Sequence, residues 1–354
     1  MDLASTLKHE IQEVKKILEG ANVVFLGNFS QVAGIRLPVA FAAIILTTLG
    51  SVSAKATEGG IGYYVPGTVA TLIDRAPVQT GWVFEPMLMS YSGELSTDVS
   101  VEVAGLITAG IDVDINAFVP GALYTFENTV LGAKYTAGLY GSWVDVDVTA
   151  RLDSSLGSFR RNDSASGLGD TTLMPLMMAW VDGNWQYNAL LPVHAPTGDY
   201  KLGRLANPGL NYWAVDPTVG ISYANMETGF NATLFTGLMM NEENSDTDYR
   251  SGRLLHFDGS LQQMMKAGDG FVTVGVNAFL LNQIGDDRNQ RPVVGAFRTK
   301  SAGIGPTVGY MLPMGKDNIV MEFRWLPQLD TKNTTEGDYF WFKFVYQLGT
   351  GKQK

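Results

Sequence analysis

The chain contains no cysteine, which excludes a disulfide framework and any thiolate metal site. Charge is also scarce. Asp, Glu, Lys and Arg make up 17% of residues against the usual quarter, which points to surface that does not face water. Lys and Arg form no runs and the net charge is −10, so nucleic acid is not an expected partner. Histidine is rare: beyond residue 56 only His194 and His256 remain, and neither stands in a metal-ligand spacing motif. No Gly-x-Ser-x-Gly elbow and no phosphate-binding loop is present. No cofactor or metal is expected. Past residue 56 no apolar run reaches eighteen residues, so no transmembrane helix is expected either.

What is abundant is alternation. The stretch "DYFWFKFVYQLGTGKQK" places Phe340, Phe342, Phe344, Tyr346 and Leu348 on one face of a strand, against Trp341, Lys343, Val345 and Gln347. Twelve segments read as strands: 81–91, 110–126, 130–150, 169–182, 184–195, 211–224, 228–240, 253–267, 270–283, 301–314, 318–329 and 338–348. Their connections alternate between short turns (127–129, 182–184, 225–227, 268–269, 315–317) and long loops (92–109, 151–168, 196–210, 241–252, 284–300, 330–337). That sorting predicts an all-β, up-and-down antiparallel transmembrane barrel of about twelve strands rather than a Greek-key sandwich. An even count puts both ends of the barrel on the short-turn, periplasmic side.

Upstream, "RLPVAFAAIILTTLGSVSAKA" has the order of a secretory signal: a basic residue, an apolar run, then Ala-x-Ala. The expected organisation is therefore an upstream extension over 1–35, with the start codon placed too early or an unusually long leading region. A signal peptide follows over 36–56, and 57–79 is a non-alternating segment, lumenal or periplasmic. The barrel occupies 80–348 and a tail 349–354. Twelve strands enclose a narrow lumen, expected to be partly filled by side chains or by 57–79.

Several stretches, in order, resemble one bacterial family: "GLGDTTLMPLMMAW" (167–180), "APTGDYKLGRLANPGLNYWAVDPTVGISY" (195–223), "NSDTDYRSG" (244–252), "AGIGPTVGY" (302–310) and "DTKNTTEGDYFWFKFVYQL" (330–348). The family is named for a "MetA" gene in meta-pathway phenol degradation. Its opening Glu-Gly-Gly…Tyr-x-Pro-Gly pattern is matched by Glu58, Gly59, Gly60, Tyr64, Pro66 and Gly67. The resemblance implies a channel in the outer membrane of a Gram-negative bacterium that passes aromatic or other hydrophobic compounds, with no catalytic residues to carry over. Its partners would be outer-membrane lipid, a small hydrophobic solute and the barrel insertion machinery. The last strand resembles the signal that machinery reads, apart from the six residues that follow Leu348. Two alternatives stand beside the channel: a structural or adhesive barrel acting through its loops, and an outer-membrane enzyme using a His and a loop Ser.

In a membrane barrel the charged faces turn inward. On that rule the lumen or constriction candidates are Glu85, Asp112, Asp114, Asp145, Asp147, His194, Glu322, Arg324 and Lys343, together with the rings of Trp143, Trp180, Phe235 and Phe279. A turn at 127–129 would set Asp112 beside residue 144 and cluster the four aspartates inside the lumen, as an ordinary wet wall or, more sharply, as an acidic ring that disfavours anions. Closure of the barrel would bring Glu85, Glu322, Arg324 and Lys343 into one cluster. Lys343, as a lumen position, should tolerate replacement by Gln. In the loop 196–210 and just beyond it, Asp199, Tyr200, Arg204, Asn207 and Asn211 are candidates for an extracellular constriction, while Pro196, Gly198, Pro208 and Gly209 set turns.

Overall fold

A computed structural model describes residues 62–154, 157–288 and 298–349. The expected signal peptide, the upstream extension and the tail from 350 lie outside them. Eighteen strands join into one closed antiparallel sheet. In chain order they are β1 (Gly81–Phe84), β2 (Met87–Val103), β3 (Leu106–Val119), β4 (Gly121–Val130), β5 (Ala133–Tyr140), β6 (Trp143–Ser154), β7 (Gly157–Leu168), β8 (Thr171–Asp182), β9 (Trp185–Leu190), β10 (Val193–Ala195), β11 (Ala214–Val215), β12 (Thr218–Ala224), β13 (Phe230–Asn241), β14 (Leu254–Ala267), β15 (Gly270–Gln283), β16 (Lys300–Met314), β17 (Asp317–Lys332) and β18 (Glu336–Gly349). They form the twelve staves of a barrel. The first six staves are each broken once, at Glu85-Pro86, Pro120, Gly141-Ser142, Gly169-Asp170, Leu191-Pro192 and Asp216-Pro217. Proline has no N–H to give a ladder, and four of the six breaks carry one. The last six staves, β13 to β18, run unbroken. β18 closes the barrel by pairing with both halves of the first stave, Phe84 opposite Tyr346 and Met87 opposite Lys343.

The outer surface carries an apolar belt. Trp82, Phe84, Leu88, Phe323, Trp325, Phe340 and Phe342 are exposed on it. Aromatic rings edge it toward the short turns, where Trp82, Tyr124, Phe126 and Tyr135 contact one another in series. Rings between a hydrocarbon layer and water are what such girdles provide. The apolar face of the last strand thus looks outward, with Trp341 and Lys343 buried on the lumen side.

Two turns differ from the sequence expectation. The second and third staves meet at Leu131-Gly132, not at 127–129. Both residues have positive φ, 51° and 77°, as a two-residue hairpin turn of the mirror-image kind requires. The polar run Glu127-Asn-Thr129 remains extended within β4. At the opposite end, 92–109 is no loop. β2 and β3 continue through it and turn at Ala104-Gly105, again with positive φ, 47° and 81°. β6 and β7 likewise extend through most of 151–168. The first four staves therefore stand well above the apolar belt.

That extension reverses an expected orientation. Above the belt the barrel wall meets water on its outside, so the soluble rule applies and the apolar face turns in. Ile111, Val113, Val146 and Val148 are buried in a core with Tyr91 and Leu95. Asp112, Asp114, Asp145 and Asp147 lie on the other, outward face. The register is also different: Asp114 faces Asp147 and Asp112 faces Thr149. Asp112 forms an ion pair with Arg151. The four aspartates make no lumen wall. Trp143 is exposed on the outside, and Trp180, paired with Tyr187 on the outward face, donates to the Leu131 carbonyl. Phe235 and Phe279 are buried inside as expected.

Candidate functional site

Residues 62–79 run inside the barrel, and the lumen wall holds them chiefly through β13, β14, β17 and β18. Asp74 caps its own turn by accepting from the Ala70 and Thr71 backbone N–H at 2.7 and 2.8 Å. The same carboxylate meets Arg324 Nη2 at 2.7 Å and Lys343 Nζ at 2.6 Å. Arg324 also binds Glu322 at 2.6 Å and donates to the Gly67 carbonyl. Glu322 accepts from Thr71 and from Gln262. Trp341 Nε1 donates to the Pro66 carbonyl at 2.9 Å. Burying such charges is costly unless each finds a partner; here two cations meet two carboxylates and the backbone of the inserted segment.

The expected seam cluster is thus assembled around a residue the sequence reading did not assign, Asp74. Glu85 points inward and is buried, but among the described residues no ion pair joins it to Arg324 or Lys343. Asp74 already occupies both cations, and Glu85 instead accepts from Tyr140 Oη at 2.8 Å.

A second attachment lies on β14. Tyr64 stacks on His256 with ring centroids 4.2 Å apart and donates to Asp258 at 2.7 Å. His256 does not stand alone, as its sequence surroundings suggested. Nδ1 meets Asp258 at 2.7 Å and Nε2 meets Asp216 at 3.1 Å, all of them buried. The signal for the first contact was legible: His256-Phe257-Asp258 puts His and Asp on one face of a strand.

A third attachment joins the inserted segment to the loop above it. Tyr63 stacks on His194 at 4.6 Å and its hydroxyl bonds Asp170 at 2.8 Å. Asp170, at the break of the fourth stave, also accepts from Gly198 N and Leu210 N at 2.8 and 2.6 Å. His194 lines the interior and meets Thr172 at 2.9 Å.

The loop candidates come together. Arg204 pairs with Asp199 at 3.0 Å. Asn207 accepts from Arg204 Nε and Lys201 N, each at 2.9 Å. Tyr200 accepts from Asn244, which accepts in turn from Asn211. Asn211 has φ 64°. This frame presses Leu205 and Ala206 into the core of the extended staves, so the loop lies over the mouth of the barrel.

Between the inserted segment and the wall is a cavity of about 660 Å³. Its lining runs from Val103 and Tyr200 near the loops to Met226 and Asn318 near the short turns. The wall contributed by the first four staves is mostly apolar, with Met87, Val113, Val144 and Met174 among its residues. The opposite side is more polar. No group of three or more potential metal ligands occurs among the described residues.

Comparison with known proteins agrees with this architecture. Residues 96–344 match a family described, provisionally, as a MetA-pathway of phenol degradation. An outer membrane channel from Pseudomonas putida F1 is 17% identical, with 80% of this chain and 100% of that chain covered and a TM-score of 0.52. The β domain of the Bordetella autotransporter BrkA is 11% identical, over 76% of this chain and 100% of that chain, at a TM-score of 0.44. A FadL homologue from Pseudomonas aeruginosa is 8% identical, over 84% and 99%, at 0.36. No curated protein matches the chain.

Proposed function

The chain belongs to the phenol-degradation MetA-pathway family, whose pattern spans most of its barrel, and from that premise we propose that it is an outer-membrane channel for passive uptake of small hydrophobic or aromatic compounds. One observation carries the reading: a largely apolar cavity lies beside the inserted segment and reaches from the loop end to the short-turn end. A cavity of this size suits a small organic solute. The outer-membrane setting is supported by the apolar belt with its aromatic edge, and by the fold shared with the P. putida outer membrane channel. In this orientation the short turns are periplasmic, the loop 196–210 is extracellular, and the last strand engages the insertion machinery.

A purely adhesive barrel would need no such cavity. An enzymatic role finds little support at His256, whose two ring nitrogens are both held by carboxylates and so leave none to activate a nucleophile. Uptake of aromatic and aliphatic solutes into liposomes carrying purified protein tests the reading. Uptake above protein-free liposomes is expected for apolar solutes that fit the cavity. Rates equal to the control across both panels would refute it.

A further inference from the structure

Arg75 lines the cavity, at the end of the turn that carries Asp74. Its side chain makes one hydrogen bond among the described residues, from Nε to the Leu72 carbonyl at 3.3 Å. Among the described residues no carboxylate lies within ion-pair distance of it. Burial pulls its guanidinium down to about 10, so it stays cationic at neutral pH. Among the described residues the terminal nitrogens Nη1 and Nη2 are left as a planar fork without an acceptor, beside an apolar wall.

The acidic groups around the same cavity are in the opposite condition, for each has its own donor. Glu85 has Tyr140, Asp170 has Tyr63 and two backbone N–H groups, Asp216 has His256, and Glu322 has Arg324. Each of these carboxylates thus has a donor of its own, whereas among the described residues Nη1 and Nη2 of Arg75 have no acceptor. Arg75 is half-buried; a partly desolvated cation without a counter-ion is costly, and a ligand that supplies the counter-ion recovers that cost. The fork matches two carboxylate oxygens. A second negative charge would face only occupied donors and nearby carboxylates.

Resting on the channel reading above, we propose that Arg75 is the recognition cation of the cavity, and that the preferred solutes are monoanionic carboxylates with an apolar, aromatic or aliphatic body. The carboxylate sits on Nη1 and Nη2 of Arg75 while the body lies along the wall of Met and Val side chains.

The test compares two solutes of the same shape, 4-ethylbenzoate and 4-ethylbenzamide, by titration calorimetry on the folded full-length protein at pH 7.5. The wild type should bind the carboxylate on the order of tenfold more tightly than the amide, the scale of one charge-assisted pair. Arg75→Gln should remove that preference and leave amide binding unchanged. Arg75→Lys, which keeps the charge but loses the fork, should retain part of it. The heat-modifiable gel shift confirms that each variant folds. Equal binding of both solutes by wild type and Arg75→Gln would overturn the carboxylate assignment and leave the channel reading intact. Binding of neither solute would overturn both.

Discussion

Asp74 and Lys343 stand 269 positions apart in the chain, and inside the barrel the carboxylate of one meets the ammonium of the other at 2.6 Å. Arg324 reaches the same carboxylate from the neighbouring strand. Asp74→Asn should therefore strand the buried Lys343 and leave Arg324 with Glu322 alone, at about 3–5 kcal/mol. The barrel wall is expected to persist while the inserted segment leaves its seat, so single-channel conductance in planar bilayers should rise severalfold. Conductance like that of the wild type would show that Asp74 does not hold the segment. Lys343→Gln removes one partner of the same pair and should also loosen it, contrary to what a tolerant lumen position would do.

The same carboxylate sets an acid limit. Burial alone would push it up, but Arg324 and Lys343 override burial and hold it below the ordinary carboxylate range. A folded-state value below the unfolded one, about 3.9, makes the unfolded chain the stronger proton binder. The contribution is then fully present above about pH 4–5 and is lost as pH falls through the lower folded value. Conductance should stay constant from neutral pH to about 5 and rise only in stronger acid. A rise already near pH 7 would point to a different group.

On the lipid side, Phe342→Arg should cost about 2–4 kcal/mol, since Phe342 is exposed on the apolar belt. Loss of the heat-modifiable gel shift would report the failure to fold. A variant that folds like the wild type would mean the position does not face hydrocarbon.

Asp170 ties loop, wall and inserted segment together. Asp170→Ala deprives Gly198 N and Leu210 N of their acceptor and leaves the Tyr63 hydroxyl with the Tyr212 carbonyl alone. At about 1–3 kcal/mol for such a loss, local opening of the loop should become roughly 10–100-fold more frequent. Trypsin should then cut at Lys201 or Arg204 correspondingly faster. An unchanged cleavage rate would show that the loop is held elsewhere.

The outward aspartates give a negative control. Asp114→Asn with Asp147→Asn should leave the reversal potential in a salt gradient unchanged, because both face away from the lumen. A shift toward anion selectivity would restore the acidic wall that the register removes.

Much of this architecture is written in two-residue periodicity. Phe342 and Lys343 announce their opposite faces because one side chain must meet hydrocarbon and the other cannot. The same pattern misleads at Val113 and Asp114. An alternation names two faces but not which one is outside, and that is decided by whether the strand stands in lipid or above it. Strand length, and with it the height of the first four staves, depends on turns such as Ala104-Gly105, whose strained backbone has no strong sequence signature when alanine leads. The site was least legible where it depends on the inserted segment. Asp74 and Arg75 are adjacent in sequence, yet one is saturated by two cations and the other has no counter-ion among the described residues. Only the path of residues 62–79 through the lumen separates them.

The breaks in the wall are confined to six consecutive staves, and the unbroken six carry most of the attachments of the inserted segment. Mechanically, the cylinder has a stiff half and a compliant half. A break in the strand itself lowers the local resistance to bending, whereas a strand that runs through is stiffer, even with Pro306, Pro313 or Pro327 within it and a register shift beside Gly303. The apolar side of the cavity rests mainly against the compliant half. Flexure of that half can then change the girth of the cavity at little elastic cost, while the other side keeps Asp74, Arg324 and Lys343 in register.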